Sequence, residues 1–304
     1  MPVIHLGSAP DSWGVWFRDD PHQPPWERFL DELAMAGYRW VELGPHGYLP
    51  TDPARLRDEM ARRGLGVSGG TVAGALHRAS AWADVIARAR EVGALVSAVG
   101  ARHLVFLPEM YRDLRGALVS APTLEREEWG RLVTGASTLG RILAEEYGVT
   151  LAFHPHADSH IATQVQIAHL LEDTDASAVS LCLDTGHVAY CGGDSLDLIE
   201  AYPDRIAYVH LKQADEVILR QVRSCQLGFA EAVRRGVMCE PPGGTPAFEP
   251  VLAALSALGT DLFAIVEQDM YPCDPGAPLP IAARTLAYLR RIGQGLDPRP
   301  PREA

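Results

Sequence analysis

Four apolar, strand-like segments of this chain end in side chains that can bind a metal ion. They supply imidazole nitrogens and carboxylate oxygens, a mixed set of donors that divalent transition metals accept. A bound cation of this kind polarises an oxygen atom of a substrate, so the pattern favours an enzyme over a binding module. The segments are LAFHPH (151–156), SLCLDTGH (180–187), YVHLK (208–212) and AIVEQD (264–269).

Residue parity predicts which of these side chains face the same way. Side chains alternate along a strand, so residues two apart share a face. If the polar ends point inward, one mouth collects histidines, carboxylates and a lysine. The sets that share a face are His154 with His156, Cys182 with Asp184, Tyr208 with His210 and Lys212, and Ile265 with Glu267 and Asp269.

Eight strand candidates alternate with helical segments, which predicts parallel strands. We expect an α/β fold, a (β/α)8 TIM barrel, in which the C-terminal strand ends meet at one mouth. A doubly wound sheet is the rival, but the count of eight and the scattered ligand-bearing ends favour a closed barrel. The strand candidates are 2–9, 39–44, 65–72, 102–108, 149–156, 178–187, 205–212 and 261–269.

The length of 304 residues exceeds the roughly 250 that such a barrel typically needs. We predict one barrel domain over 1–294 and a flexible tail at 295–304. Residues 213–236 form a polar excursion, with a helix as one interpretation. A turn-rich loop, CEPPGGTP, follows at 239–246.

Net charge, apolar runs and cysteine number argue against several classes of protein. The formal net charge of -12 argues against nucleic acid as a partner. The N-terminus resembles no signal peptide, and no apolar run is long enough to cross a membrane. The five cysteines are odd in number and form no CxxC pair, which is typical of reduced thiols. We therefore expect a cytoplasmic protein with no membrane partner.

Each candidate residue also has a simpler interpretation. A lone buried histidine is usually a core residue, HPH could be a turn, and DTGH could begin a helix. Lys212 alone would more often be a salt-bridge partner. Glu267 is hardest to explain by packing, because burying an unpaired carboxylate is costly. The four segments together favour a metal site.

The other candidates are predicted to contact substrate. Glu42 ends the second strand and could bind a substrate hydroxyl or pair with an arginine. Trp13 could line the pocket or anchor a loop by packing. His187 is predicted to support the metal ligands or to touch substrate, with a second metal as the other alternative. His156 and Asp269 are further substrate candidates.

Longer segments resemble a known family. They are APDSWGVWF (9–17), the stretch from PPWERF to DPARL (24–56), HPHAD, LCLDTGHVAY and AYVHLKQ. These residues are similar to the inosose dehydratase branch of the xylose isomerase-like sugar isomerase/epimerase superfamily. The resemblance runs from about residue 3 to residue 292.

The resemblance implies a TIM barrel with a metal at its mouth. The superfamily has Glu, Asp, His and Glu on strands five to eight, and the last three correspond to Asp184, His210 and Glu267. The first falls on His154, a departure that leaves three alternatives: His154 binds the metal, His156 does, or only three protein ligands exist.

The implied activity is removal of water from 2-keto-myo-inositol (scyllo-inosose). Glu267 or His154 would be the base, and Lys212 or a histidine would be the acid or would stabilise the enolate. A metal-dependent isomerase or epimerase is the alternative. The expected metal is Mn, Co or Zn, and glutathione is left open as a second cofactor. The expected partner is a small cyclic polyol or keto-sugar, and the oligomeric state, including a homo-oligomer, is left open.

Overall fold

The computed structural model describes residues 3–293 together with 296 and 297. Eight parallel strands close into a barrel, because the last of them pairs with both the first and the seventh. The predicted (β/α)8 TIM barrel is confirmed. The barrel strands are β1 (Ile4–Ser8), β2 (Trp40–Glu42), β3 (Gly66–Gly74), β4 (His103–Pro108), β5 (Thr150–Phe153), β6 (Val179–Asp184), β7 (Ile206–Leu211) and β10 (Leu262–Val266).

Helices follow the strands and form the outer layer. Helix α2 illustrates the local signals: the Asp52 carboxylate accepts from the N–H of Arg55, Pro53 occupies the first turn, and Gly64 ends the helix in the left-handed region. The helices are α1 (Trp26–Ala36), α2 (Pro53–Arg63), α3 (Trp82–Ala98), α4 (Arg126–Tyr147), α5 (Gln164–Asp173), α6 (Thr185–Tyr190), α7 (Ser195–Ala201), α8 (Glu216–Cys225), α9 (Phe229–Arg234), α10 (Phe248–Ala257) and α11 (Pro278–Ile292).

The interior of the barrel confirms the predicted parity. A buried layer is built from side chains that point inward from alternate positions of the strands. Residues two positions further along those strands therefore point inward at the C-terminal mouth. The layer contains Ala9, Val105, Ala152, Cys182, Tyr208 and Ile265.

Several strands end earlier than the sequence predicts. β5 stops at Phe153, before Pro155, which has no N–H to donate. β6 stops at Asp184, because this residue caps helix α6 instead of continuing the strand. Backbone pairing nevertheless extends one residue beyond two strands: His154 N–H donates to Phe106 O, and Glu267 N–H donates to Leu211 O. These side chains therefore keep the strand direction.

Residues 213–239 form an insertion over the barrel mouth. The short antiparallel strands β8 (Gln213–Ala214) and β9 (Met238–Cys239) close it, and helices α8 and α9 lie between them. The predicted polar excursion therefore contains two helices. Their apolar side chains form a second core that is separate from the main one. This second core includes Leu219, Val222, Phe229, Ala232 and Val233.

The predicted tail, 295–304, lies largely outside the described residues. Within it, strand β11 (Leu296–Asp297) pairs in parallel with the start of β1. Across the described ranges, no helix combines the length and the apolar character needed to cross a bilayer. The five cysteines are all unbridged.

Candidate metal centre

Four side chains from four strand ends meet at the barrel mouth. His154 follows β5, Asp184 ends β6, His210 lies in β7 and Glu267 follows β10. One ligand atom from each lies within 4.8 Å of the others. All four residues are more than nine-tenths buried. Asp184, His210 and Glu267 are the ligands that the resemblance implies. Of the alternatives for the fourth position, His154, not His156, is the histidine that joins the group.

His210 has both ring nitrogens against carboxylates. Its Nδ1 lies 2.9 Å from Oε2 of Glu267 and 3.6 Å from Oδ2 of Asp184. Its Nε2 lies 2.8 Å from Oε2 of Glu42. Burial disfavours the charged ring, but the carboxylates around it, with Glu267 and Glu42 foremost, raise the pKa of His210 well above its usual range.

Glu42 lies behind this imidazole. The sequence offers a substrate hydroxyl or an arginine as its partner. The structure instead gives it the His210 ring and the Thr71 hydroxyl, which donates from 2.6 Å. With both contacts, Glu42 is 3% exposed and fixes the orientation of His210. The long sequence separation of these partners explains why the sequence did not reveal the pair.

The two oxygens of Asp184 have separate partners. Oδ1 accepts from the N–H of His187 at 2.8 Å and so caps helix α6. Oδ2 lies 3.2 Å from Nε2 of His154 and 3.1 Å from Nζ of Lys212. Burial opposes ionisation, but the positive charge of Lys212 and the contacts with the surrounding histidines together outweigh it and hold the pKa of Asp184 well below its usual range. The sequence DTGH could supply a metal ligand or begin a helix, and Asp184 is placed to do both.

Lys212 is buried at 2% exposure, within 2.9–3.1 Å of three carboxylates. They belong to Asp184, Glu267 and Asp269. Burial disfavours the ammonium, but these charges raise the pKa of Lys212 well above its usual range. The same contacts act on Glu267: burial opposes its ionisation, while His210 and Lys212 lower its pKa to about 2.

One sequence signal for Lys212 was missed. It is the only lysine among the 27 lysines and arginines of the chain. Lysine carries a compact charge on a flexible stem, whereas arginine carries a planar fork. A chain that otherwise uses arginine throughout has its one ammonium at the mouth.

His156 and His187 form a buried pair beside the four-residue group, with ring centroids 4.0 Å apart. Burial, then the neighbouring His154, lowers the pKa of His156 to about 3. Burial and His156 lower the pKa of His187 well below its usual range. The N–H of Ala157 donates to Nδ1 of His187 at 3.2 Å, and Nε2 of the same ring lies 3.4 Å from Nζ of Lys212.

The insertion over the mouth covers this histidine pair. The ring of Phe229, at the start of α9, lies 5.0 Å from His156 and 4.9 Å from His187, centroid to centroid. Trp16 stacks between Phe229 and Tyr271, so loops after β1 and β10 join the cover. The pair is thereby shielded from water, which is the physical cause of its lowered pKa values.

Asp11 is a residue that the sequence analysis missed. It follows β1 in a short 3-10 turn, Pro10–Trp13. Burial, then the charge of Glu267, raises the pKa of Asp11 well above its usual range. A signal was available, since a carboxylate just beyond the first strand must also reach the barrel mouth.

Trp13 is held in the layer between barrel and helix. Its indole N–H donates to Glu32 of α1 at 2.8 Å, and its ring packs edge-on against Phe29 at 5.0 Å. Only 1% of it is exposed. These contacts match the alternative in which Trp13 anchors a loop by packing.

Comparison with known proteins identifies the family. The model of the xylose isomerase-like TIM barrel family matches residues 30–292. The chain belongs to this family. Among curated xylose isomerase-like relatives, the inosose dehydratase of Geobacillus thermodenitrificans (strain NG80-2) is 28% identical and covers 94% of this chain and 96% of its own. The inosose dehydratase of Salmonella agona (strain SL483) is 30% identical, with 88% and 90% covered.

Solved structures share the xylose isomerase-like fold. The probable 3-DHS dehydratase AsbF of Bacillus anthracis superposes with a TM-score of 0.72 at 13% identity, covering 94% of this chain and 99% of that one. The IOLI protein, described with a binding zinc atom, has a TM-score of 0.70 at 16% identity, with 94% and 98% covered. At these identities the likeness establishes the fold alone.

The residues of this xylose isomerase-like site fit a divalent metal. Nδ1 of His210 is buried without a hydrogen-bond partner, although it faces two carboxylates. Zinc takes imidazole and carboxylate ligands at roughly 2.0–2.2 Å, so atoms gathered as closely as these can share one ion. Cys182 lies beside His154 and His210 as an alternative donor, but burial raises the pKa of its thiol to about 12.

Proposed function

We propose that this protein is a metal-dependent dehydratase that removes water from 2-keto-myo-inositol (scyllo-inosose). One observation carries the proposal. The buried group of His154, Asp184, His210 and Glu267 lies in a chain that aligns with a named inosose dehydratase over 94% of its length. We assign these four residues as the metal ligands.

Dehydration of a ketone of this kind needs a base and an acid. The base removes the proton next to the ketone, and the acid protonates the departing hydroxyl. A bound divalent metal supplies the polarisation of the ketone oxygen that makes this proton acidic. The protein contributes the proton-transfer groups and an environment shielded from water.

Glu267 and Lys212 have the starting forms that these roles require. The pKa of Glu267, lowered to about 2, keeps its carboxylate ionised and able to accept a proton. The raised pKa of Lys212 keeps its ammonium protonated and able to donate. Their charged atoms lie 3.0 Å apart. His154 is the alternative base if Glu267 acts only as a ligand.

Substrate hydroxyls are assigned to polar groups around the mouth. His187 presents the Nε2 edge of its ring, which lies 3.4 Å from Nζ of Lys212, since Nδ1 already accepts from the N–H of Ala157. Asp269 is buried at 6% exposure and reaches Lys212 at 2.9 Å. We infer that these two groups bind the hydroxyls of a small cyclic polyol ketone, with His156 supporting His187 through ring contact.

A sugar or keto-sugar isomerase or epimerase on the same barrel is the second candidate. Epimerases of the superfamily use two glutamates on opposite faces of the substrate carbon, and His154 stands where one of them would be. An unmatched base and acid suit water loss better than inversion of a carbon centre. The two reactions can be told apart without knowing which metal (Mn, Co or Zn) is native or whether glutathione takes part. Both are varied in the assay.

Mass spectrometry of the product separates the candidates. Purified protein is loaded in turn with Mn²⁺, Co²⁺ and Zn²⁺, and each form is incubated with scyllo-inosose, with and without glutathione. We expect a product lighter than the substrate by one water. A product of unchanged mass would show that the protein isomerises or epimerises the substrate instead of dehydrating it. The Glu267→Gln protein is the matched control and is expected to form no product.

A further inference from the structure

The Lys212 ammonium shares its oxygen partners with the candidate metal position. Its Nζ lies 3.1 Å from Oδ2 of Asp184 and 3.0 Å from Oε2 of Glu267. These are the oxygens that face His154 and His210 within the four-residue group. A divalent ion bound to both oxygens would place two cations against the same pair of atoms, which Coulomb repulsion opposes.

We propose that Lys212 is a built-in counter-cation, which holds these two oxygens until a divalent ion binds and then shifts its ammonium to Asp269. This inference rests on the metal site of the proposed function but not on its substrate. Metal binding is then an exchange of one cation for another. The ammonium keeps the buried carboxylates compensated before the ion arrives, which they require because an unpaired buried charge is costly.

Asp269 is placed to receive the ammonium. Its Oδ2 already lies 2.9 Å from Nζ, the shortest of the three carboxylate distances of Lys212. Asp269 follows β10, beyond Glu267 and nearer the opening of the mouth. A small movement of Nζ away from Glu267 therefore keeps one full ion pair. Without Asp269, the displaced ammonium would lose that partner.

The aliphatic stem of Lys212 is confined, so the proposed shift towards Asp269 involves only its ammonium end. A Cβ added at Gly186 would lie 2.6 Å from both Cβ and Cγ of Lys212. The stem thus packs directly on the backbone of α6. Nζ, at the end of the stem, is already within 3.0 Å of oxygens of both Glu267 and Asp269, so a small movement is enough for the exchange.

Binding of Zn²⁺ and Mn²⁺, measured by calorimetry, tests the exchange on the full-length protein and three variants. Lys212→Met should bind the ions about tenfold more tightly or better, because no ammonium has to leave. Asp269→Asn should bind them about tenfold more weakly, because the displaced ammonium loses its acceptor. In the double variant, the Asp269→Asn effect should disappear, since no ammonium remains to be received.

Arg220→Met is the matched control, because it removes an exposed cation of helix α8 and should leave the affinity unchanged. Equal or weaker binding by Lys212→Met would overturn the inference. So would an Asp269→Asn effect of the same size with and without Lys212, because Asp269 would then act directly on the ion. Absence of binding to the wild-type protein would also overturn it.

The wild-type protein provides a second test that does not depend on a variant folding. Because the chain has one lysine, incorporation of ¹³C,¹⁵N-lysine gives a single side-chain Cε/Nζ signal in NMR spectra. Zn²⁺ should move this signal to a new position in proportion to the ion bound. An unmoved signal at full occupancy would overturn the exchange. That result would leave the dehydratase proposal standing. A shifted signal together with a failed product assay would support the cation exchange and contradict the dehydratase proposal.

Discussion

Glu42 accepts a hydrogen bond from Nε2 of His210 at 2.8 Å, although 168 residues separate the two in the chain. The pair joins β2 to β7 across the barrel mouth. Because Nε2 is occupied, the ring presents Nδ1 to Asp184 and Glu267. A carboxylate behind a histidine ligand sets both its orientation and its basicity.

Replacing Glu42 by Gln should weaken divalent metal binding by about 10- to 100-fold, because the charge that supports His210 is lost. Calorimetric titration with Zn²⁺ measures the affinity, and circular dichroism verifies the fold. Glu145→Gln, on the exposed side of α4, is the control and should bind like the wild type. An unchanged affinity in Glu42→Gln would show that the pair is structural only.

Replacing Gly186 by Ala should displace Lys212, since the new Cβ would lie 2.6 Å from its stem. Overpacking of this kind costs about 1–3 kcal/mol of unfolding free energy. We also expect at least about a tenfold loss of kcat, because the proposed acid moves away from substrate. Gly130→Ala in α4 meets open space and should instead stabilise by about 0.5–1 kcal/mol. Full activity in Gly186→Ala would remove Lys212 from the mechanism.

The histidine pair should make the protein acid-sensitive. The pKa of His156 is lowered to about 3 and that of His187 lies well below 6.5. Between these values and about pH 6.5, the unfolded chain binds more protons than the folded one, so stability falls as pH falls. At pH 5 His156 should remove about 2 kcal/mol of unfolding free energy relative to pH 7, and His187 acts in the same direction.

Urea unfolding at several pH values measures this slope, and His156→Gln should make it shallower. His169→Gln is the control, because His169 is exposed on α5. A slope between pH 6.5 and pH 5 that is identical in wild type and His156→Gln would contradict the assignment of a neutral buried ring.

Phe229 should matter for both stability and activity. It is 2% exposed and covers His156 and His187. Phe229→Ala should lower the unfolding free energy by about 3–5 kcal/mol at most, because a buried aromatic ring is lost. It should also lower kcat/KM by admitting water to the mouth. Phe17→Ala removes a ring that is 42% exposed and should change neither quantity appreciably. Equal behaviour of the two variants would argue against a covering role.

Local sequence patterns were enough to predict most of the fold. The alternation of eight strands with helices predicted the barrel, and parity predicted which side of β6, β7 and β10 faces inward. Strand ends were less predictable, because DTGH satisfies the signals of a strand end and of a helix start at once. The side chain of Asp184 decides between them by capping α6.

The candidate ligands were predictable because they lie at the ends of apolar runs, where burial of a polar group demands a reason. Partners distant in the chain were not. Glu42 meets His210 only after the barrel closes, and Phe229 meets the histidines only after the insertion folds over them. Asp11 was within reach of sequence reasoning, and so was the fact that Lys212 is the one lysine of the chain.

Anomalous diffraction from crystals of the protein grown with Zn²⁺ tests the central claim most directly. We predict one strong peak at the barrel mouth, about 2.0–2.2 Å from a donor atom of each of His154, Asp184, His210 and Glu267. A peak held by His156 and His187, or no peak near these four side chains at full zinc occupancy of the protein, would contradict the account.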